Sequence, residues 1–436
     1  MKTSLPVRAA PVLAAALAVA APLPLAAAPA SAPFSAQDLV TLNRLGGVAV
    51  SPDGKLLAYT VTVTDPASYA RSTQLWLRPV DGMAPARHIA VDGSVSDPAF
   101  APDGSLYLLS DRKQDGKDAG TQVWKIAPHL AATPGSASAA LVPVTAFKTD
   151  VNGFKLSPDG KRIAVWGDIA RSCPTFGGCA SDGNTTLPGP GTGRLYKDGA
   201  GFVRHWDAWE TPGNYSRIFA FVLGADGRVD PASGHALDGD PAQGGLVGDA
   251  PNKPFGDGGD VAWSADGAAV IYAARQADRN EPRSTNLDLW WAPVDGSAPR
   301  NLTVANQATD AGPAVSPDGR WLAYVAMARP TFEADRLVVQ LMDLSTGKTR
   351  ALTEVWDRSA GALQWTADGK ALLWIIGGLV GLVACIALGV GATSRSSTLF
   401  GLPVVVIPST PWNLNDPVWE AEWEAFNSSV VAWVPG

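Results

Sequence analysis

Ser316-Pro317-Asp318-Gly319-Arg320-Trp321-Leu322-Ala323-Tyr324 reads as a tight turn followed by a strand, and its recurrence decides the fold. The proline presets φ for the first corner, the glycine takes the positive φ that the exit demands, and the apolar run behind them is β-prone. The same turn stands at Ser51-Pro52-Asp53-Gly54, Ala101-Pro102-Asp103-Gly104, Ser157-Pro158-Asp159-Gly160, Ser264-Ala265-Asp266-Gly267 and Thr366-Ala367-Asp368-Gly369. The intervals are 50, 56, 107, 52 and 50 residues, and an apolar run such as Leu56-Leu57-Ala58-Tyr59 or Leu372-Leu373-Trp374 follows each copy. A second unit lies further along: Leu75-Trp76-Leu77-Arg78-Pro79-Val80-Asp81-Gly82 recurs as Leu289-Trp290-Trp291-Ala292-Pro293-Val294-Asp295-Gly296, with looser versions at Val123-Trp124 and Val339-Gln340-Leu341.

Strand, turn, strand, longer loop, strand, turn, strand makes four antiparallel strands per repeat, which is one propeller blade. The predicted fold is therefore all-β: a β-propeller over residues 46–374 with about six to seven four-stranded blades, the last one incomplete. The 107-residue interval holds either one blade with a long insertion, about 167–257, or two blades of which one has lost its signature.

A chain of 436 residues suits one large all-β domain or two ordinary ones. Charged residues make up 17%, against about 25% in a typical domain, while 45 Gly and 35 Pro fit a turn-rich chain. The 46% apolar content supplies a core and excludes wholesale disorder. The formal charge is −7 and no basic run occurs, which argues against nucleic acid and anionic membrane surfaces as partners. No P-loop and no G-x-G-x-x-G opening a helix is present, so no nucleotide cofactor is expected.

Residues 1–32 read as an export signal: Lys2 and Arg8 form a basic start, Pro11 to Ala28 is apolar, and small residues around Ala30 and Ala32 precede a cut. Its removal takes the charge from −7 to −9, because the segment carries no acid. The mature protein is then expected to be periplasmic or secreted, with residues 33–45 leading into the propeller. In that oxidising setting Cys173 and Cys179 close a small disulfide or stay as two loop thiols.

Several stretches go beyond a generic propeller. Phe34-Ser35-Ala36-Gln37-Asp38-Leu39-Val40, Phe202-Val203-Arg204-His205-Trp206-Asp207-Ala208-Trp209, Glu281-Pro282-Arg283-Ser284-Thr285-Asn286-Leu287-Asp288-Leu289, Ala328-Arg329-Pro330-Thr331-Phe332-Glu333-Ala334-Asp335-Arg336 and Leu352-Thr353-Glu354-Val355-Trp356-Asp357-Arg358-Ser359 resemble the propeller of the prolyl oligopeptidase family of serine peptidases. The nearest branch is the exported bacterial dipeptidyl and acylaminoacyl peptidases. The resemblance implies a propeller that caps an α/β-hydrolase domain, limits substrates to short peptides and helps hold the peptide amino end. It also implies a serine on a G-x-S-x-G elbow, with Asp and His following in chain order.

None of the catalytic parts is found in these residues. No G-x-S-x-G occurs, and His88, His129, His205 and His235 all fall in or between blades. Only 62 residues follow Trp374, whereas a catalytic domain takes about 200 or more. The expectation is a chain inactive alone, with short peptides and a hydrolase domain or partner protein as its partners. A free-standing envelope propeller that binds peptides or proteins is the alternative.

After Trp374 the family likeness stops abruptly, as a frameshift or recombination would leave it. Residues 371–392 form a 22-residue stretch without a charge, long enough to cross a bilayer as a helix, with Gly377-x-x-x-Gly381 as a packing pattern. The same run equally suits buried strands completing the blade. Within the atypical tail 393–436, a helix is expected over 417–434, with Asp416 as N-cap and Trp419, Trp423 and Phe426 on one face.

Candidate substrate-binding residues are Glu333, Asp335 and Arg336, together with Arg204, His205 and Asp207, because charged groups near a propeller funnel select peptide ends by ion pairing. Solvated loops, or packing of the insertion by Trp206 and His205, are the alternatives. Asp257 and Asp260 hint at calcium but lack enough spaced oxygen ligands, so no metal is expected.

Overall fold

A computed structural model describes residues 34–127, 141–179, 204–205, 208–209, 214–240, 245–246, 248–253, 256–276, 281, 284–376, 383–387, 397–399 and 402–408, the backbone alone for 204–209 and from 374 onward. The expected export signal, the expected helix 417–434 and Asp207 lie outside them.

Besides the two-stranded pair 204–205 and 208–209, six larger sheets follow one another along the described residues. Blade 1 is built from Arg44–Val50, Leu56–Thr64, Arg71–Pro79 and Arg87–Ile89. Blade 2 has Val95–Phe100, Leu106–Ser110, Gln122–Ile126 and Leu141–Pro143. Blade 3 has Gly153–Leu156, Arg162–Ala170, Asn214–Val222 and His235–Ala236. Blade 4 has Val261–Trp263, Ala269–Ala274, Asp288–Pro293 and Arg300–Asn301. Blade 5 has Asp310–Val315, Trp321–Ala326, Val338–Asp343 and Thr349–Ala351. Blade 6 opens with Ala360–Trp365, Ala371–Ile376 and Val383–Ala387. First strands of successive blades touch each other, so they ring a common axis and the fourth strands lie outermost. The chain is a β-propeller.

The 107-residue interval holds one blade. Arg162–Ala170 and Asn214–Val222 pair along their whole length, from Arg162↔Val222 to Ala170↔Asn214. The excursion is therefore residues 171–213, narrower than 167–257, because both flanking apolar runs are strands of the blade itself. Residues 371–376 and 383–387 are extended, so among the described residues this part of the 371–392 run supplies strands. The sheet also passes through Trp374 without a break, since Leu372 to Ile376 is one apolar run. Its fourth place is taken by Leu402–Pro408, parallel to Val383–Ala387, with Ser397–Leu399 beyond.

Each recurring turn is stitched by its own side chains. Ser51, Ser157 and Ser264 each donate from Oγ to the Oδ1 of the Asp two residues on, at 2.6 Å, and Thr366 does so at 2.7 Å. The glycine that follows has φ of 67–71° in these four turns, a region closed to most side chains. At the other end of the blades a buried hydroxyl extends the pairing. Thr145, Thr303 and Thr353 accept from the backbone N–H of Val123, Leu289 and Val339 at 2.9, 3.0 and 2.9 Å.

The inner strands carry a repeated β-bulge: register shifts fall at Leu45/Val48, Ser96/Ala99, Ala311/Ala314 and Gly361/Gln364. Asp97, Gly312 and Ala362 take positive φ there (49°, 62° and 48°). Blades are locked side by side by indoles, with Trp263 Nε1 donating to Lys155 O and Trp365 Nε1 to Ala314 O, both at 3.0 Å.

Residues 34–42 with 64–70 belong to a separate small unit. It holds the short helix Ala36–Thr41, begun by a capping box in which Ser35 and Asp38 satisfy each other's backbone N–H. Tyr69 Oη donates to Gln37 Oε1 at 3.0 Å.

Candidate functional site

Because strands in a blade alternate in direction, all six recurring turns and the outer Asp-Gly turns lie at one end of the propeller. The second-to-third-strand loops and the blade-to-blade links lie at the other, hereafter the loop end. Every described candidate residue predicted from sequence belongs to the loop end.

Where the inner strands start, four charged residues from three blades form a collar. Lys155 of blade 3 donates from Nζ to Gly258 O at 2.6 Å, in the turn that enters blade 4. In that turn Asp257 accepts from Gly259 N–H at 2.6 Å, and Asp260 accepts from Gly312 N–H of blade 5 at 3.1 Å. Asp97 of blade 2 sits in its bulge with access to solvent. Burial raises the Asp97 carboxyl above its usual range, and the charge of Asp257 adds to it. Burial likewise raises Asp260, again with help from Asp257, while the Gly312 N–H opposes it. Burial lowers the Lys155 ammonium, and Asp257 and Asp260 resist that change. Both signs of charge thus stand partly desolvated around the axis, where ion pairs are stronger than in water. Such a collar can take the ammonium or the carboxylate end of a small zwitterion.

Two further anchors shape the loop end. Asp238, fully buried, receives a bidentate pair from Arg217 (2.7 and 2.9 Å) and a second ion pair from Arg171. Arg217 also donates to the Cys173 and Arg171 carbonyls, and Arg171 to the Gly239 carbonyl. Cys173 and Cys179 are joined by a disulfide, and Phe176 between them packs on Phe147 and Phe219. The start of the 171–213 excursion is thereby pinned to blade 3.

Of the predicted loop residues, Asp335 and Arg336 are tied into the loop itself. Asp335 accepts from the backbone N–H groups of Ala328 and Arg329 at 2.9 and 2.8 Å and from Arg329 Nε at 2.9 Å. The Arg329 guanidinium, with these N–H groups, holds its carboxyl down at about 2. Arg336 donates to the Thr353 and Glu354 carbonyls at 3.1 and 2.9 Å, which ties this loop to the link into blade 6. Glu333 is exposed on the same loop. Arg204 and His205 form a two-residue strand opposite Trp209 and Ala208. Among the described residues no group of three or more His, Cys, Asp and Glu is placed to hold a metal.

No family model matches the chain. Dipeptidyl-peptidase 5 of Porphyromonas gingivalis is 25% identical over 338 residues, covering 77% of this chain and 45% of that protein. A probable dipeptidyl-peptidase 5 of Emericella nidulans is 32% identical over 177 residues, 38% of this chain and 24% of that protein. Among solved structures, the acylaminoacyl peptidase of Pyrococcus horikoshii superposes with a TM-score of 0.50 at 12% identity, covering 78% of this chain and 44% of that one. This chain is similar to the propeller portion of the prolyl oligopeptidase family. It spans under half the length of these relatives.

In this prolyl oligopeptidase-like propeller the collar is the part that sequence reading missed, yet aligning the repeats exposes it. Two residues before each recurring turn stand Ala49, Ala99, Lys155, Ala262, Ala314 and Gln364, so Lys155 is a charge in a column of uncharged residues, four of them alanine. Two residues earlier stand Gly47, Asp97, Gly153, Asp260, Gly312 and Ala362, where Asp97 and Asp260 are the departures. Arg171, Arg217 and Asp238 carry no such signal, because they meet only through the long excursion.

Proposed function

We propose that this chain is the substrate-gating propeller of an exported peptidase that releases dipeptides or acylated residues from short peptides. The observation that carries the reading is the mixed-charge collar of Asp97, Lys155, Asp257 and Asp260 at the loop end, on a propeller similar to dipeptidyl-peptidase 5. The mechanism is steric and electrostatic: the ring of inner strands admits only slender peptides, and the collar pairs with their charged termini. Hydrolysis belongs to an α/β-hydrolase domain, with which the loop end would dock, since the chain enters its first blade there. The mature protein works in the periplasm or outside the cell.

The test uses the 436-residue chain. It should not hydrolyse a dipeptidyl chromogenic substrate, yet unlabelled tri- and tetrapeptides should perturb its tryptophan fluorescence, and Lys155→Met should weaken that response about tenfold. Fluorophosphonate-sensitive hydrolysis by this chain would overturn the inactivity. Binding of folded proteins but not peptides would favour a free-standing adaptor.

A further inference from the structure

At the loop end of the blade 4 to blade 5 junction, the charge of Asp288 acts on the carboxyl of Asp310, and among the described residues no basic group acts on either. Asp310, which opens the inner strand of blade 5, is 1% exposed. Its Oδ1 accepts from Asn306 Nδ2 at 3.0 Å, while its Oδ2 has no hydrogen-bond partner. Asp288, half-buried, opens the third strand of blade 4. Burial raises both carboxyls above their usual range; hydrogen bonds from Asn301 and Thr303 oppose the rise at Asp288, those from Asn306 and Thr303 oppose it at Asp310, and the charge of Asp288 adds to it there. A buried anion with an unmet oxygen is strongly disfavoured unless a cation or a proton completes it.

The neighbouring neutral oxygens favour a cation. Thr303 Oγ1 lies 3.5 Å from Asp288 Oδ1, too far for a good hydroxyl hydrogen bond. The Asn286 amide satisfies the Asn306 and Ala308 carbonyls by donating to both at 3.1 Å, which turns its oxygen toward Asp288 Oδ2, 3.4 Å away. Oxygens held about 2.4 Å from one calcium ion, at right angles, stand about 3.4 Å apart. The separations of Thr303 and Asn286 from Asp288 match that spacing.

We propose that Asp288 and Asp310 bind Ca²⁺ between blades 4 and 5, with Asn286 Oδ1 and Thr303 Oγ1 as neutral ligands and water completing the shell. The pair differs from the Asp257–Asp260 turn, whose carboxylates face Lys155 instead. The consequence reaches the neighbouring loop. Thr309 Oγ1 donates to Thr285 O at 2.7 Å, and Thr285 Oγ1 accepts from Thr331 N–H at 2.9 Å. A cation seated beside Asn286 therefore firms the loop that carries Glu333 and Asp335. The proposal stands independently of the peptidase reading.

The experiment is a CaCl₂ titration of the EDTA-treated 436-residue chain, followed by thermal unfolding and by terbium luminescence. Saturating Ca²⁺ should raise Tm by about 2–4 °C. Asp310→Asn and Asp288→Asn, near-isosteric changes that also remove a buried charge, should fold and lose both the shift and the terbium signal. An unresponsive wild type would overturn the site and leave the two carboxyls sharing a proton. An undiminished response in both variants would place the ion elsewhere and overturn it equally.

Discussion

The second strand of blade 2, Leu106–Ser110, is buried along its whole length, whereas its counterpart in blade 1, Leu56–Thr64, is fully buried only at Ala58, Thr60 and Thr64. Both are strongly apolar at their start, and both follow the same turn. The difference lies in what flanks them. Blade 2 has a sheet on either side; no described sheet precedes blade 1. Leu45, Val48 and Val50 of its inner strand are 76%, 62% and 53% exposed, and they pair with Val61, Tyr59 and Leu57 on the same face. A blade is therefore only half of a folding unit: its apolar faces are worth what the neighbours cover.

The largest effect should come where an interior blade closes over charge. Asp238→Ala leaves Arg171 and Arg217 buried without a counter-ion and should cost about 3–5 kcal/mol in urea unfolding. Next comes a matched pair that tests the comparison directly. Leu108→Ala, at a fully buried site in blade 2, should cost about 2–4 kcal/mol, and Leu57→Ala in blade 1 under about 1 kcal/mol. Equal costs would break the comparison, showing that the blade 1 face is covered in solution.

A smaller contrast concerns the hydroxyls of the blade links. Thr353→Val strands the Val339 N–H that it accepts from at 2.9 Å and should cost about 1–2 kcal/mol. In blade 1 a hydroxyl contact near the same link, Thr73 N–H to Ser94 Oγ, is 3.4 Å long, so Ser94→Ala should cost under about 0.5 kcal/mol. The smallest effect is a matter of pH. The Asp335 carboxyl titrates at about 2, below its ordinary 3.8, so its hold on the 328–335 loop is present above pH 4 and fades as pH falls through 2. Amide exchange at Ala328 and Arg329 should quicken over that window in the wild type and stay level in Asp335→Asn.

Much of this architecture was legible in the sequence because it is local. The recurring x-x-Asp-Gly turn is stitched locally, in five of six copies by the hydroxyl of its own Ser or Thr, so six copies announced six blades, and the 107-residue gap left open only whether a seventh was hidden. The site was less legible. Asp335 and Arg336 are charged and near the loop end, but sequence does not say that their charges go to Arg329 and to the Thr353 and Glu354 carbonyls. The collar was hidden for the opposite reason: Asp97, Lys155 and Asp260 lie more than fifty residues apart, and only the stacking of inner strands gathers them.

The alternation of strand direction has a last consequence, for how such a molecule varies over time. The 171–213 excursion adds length at one rim while blade 3 keeps its register from Arg162 to Val222. Turns at the opposite rim are held to four residues by a carboxylate and a left-handed glycine, in all but blade 2 with the hydroxyl of the turn's first residue, and they have no such freedom. One rim is a standard part, nearly the same in every blade. The other is where new recognition can be written by insertion, without re-solving how the blades fit together.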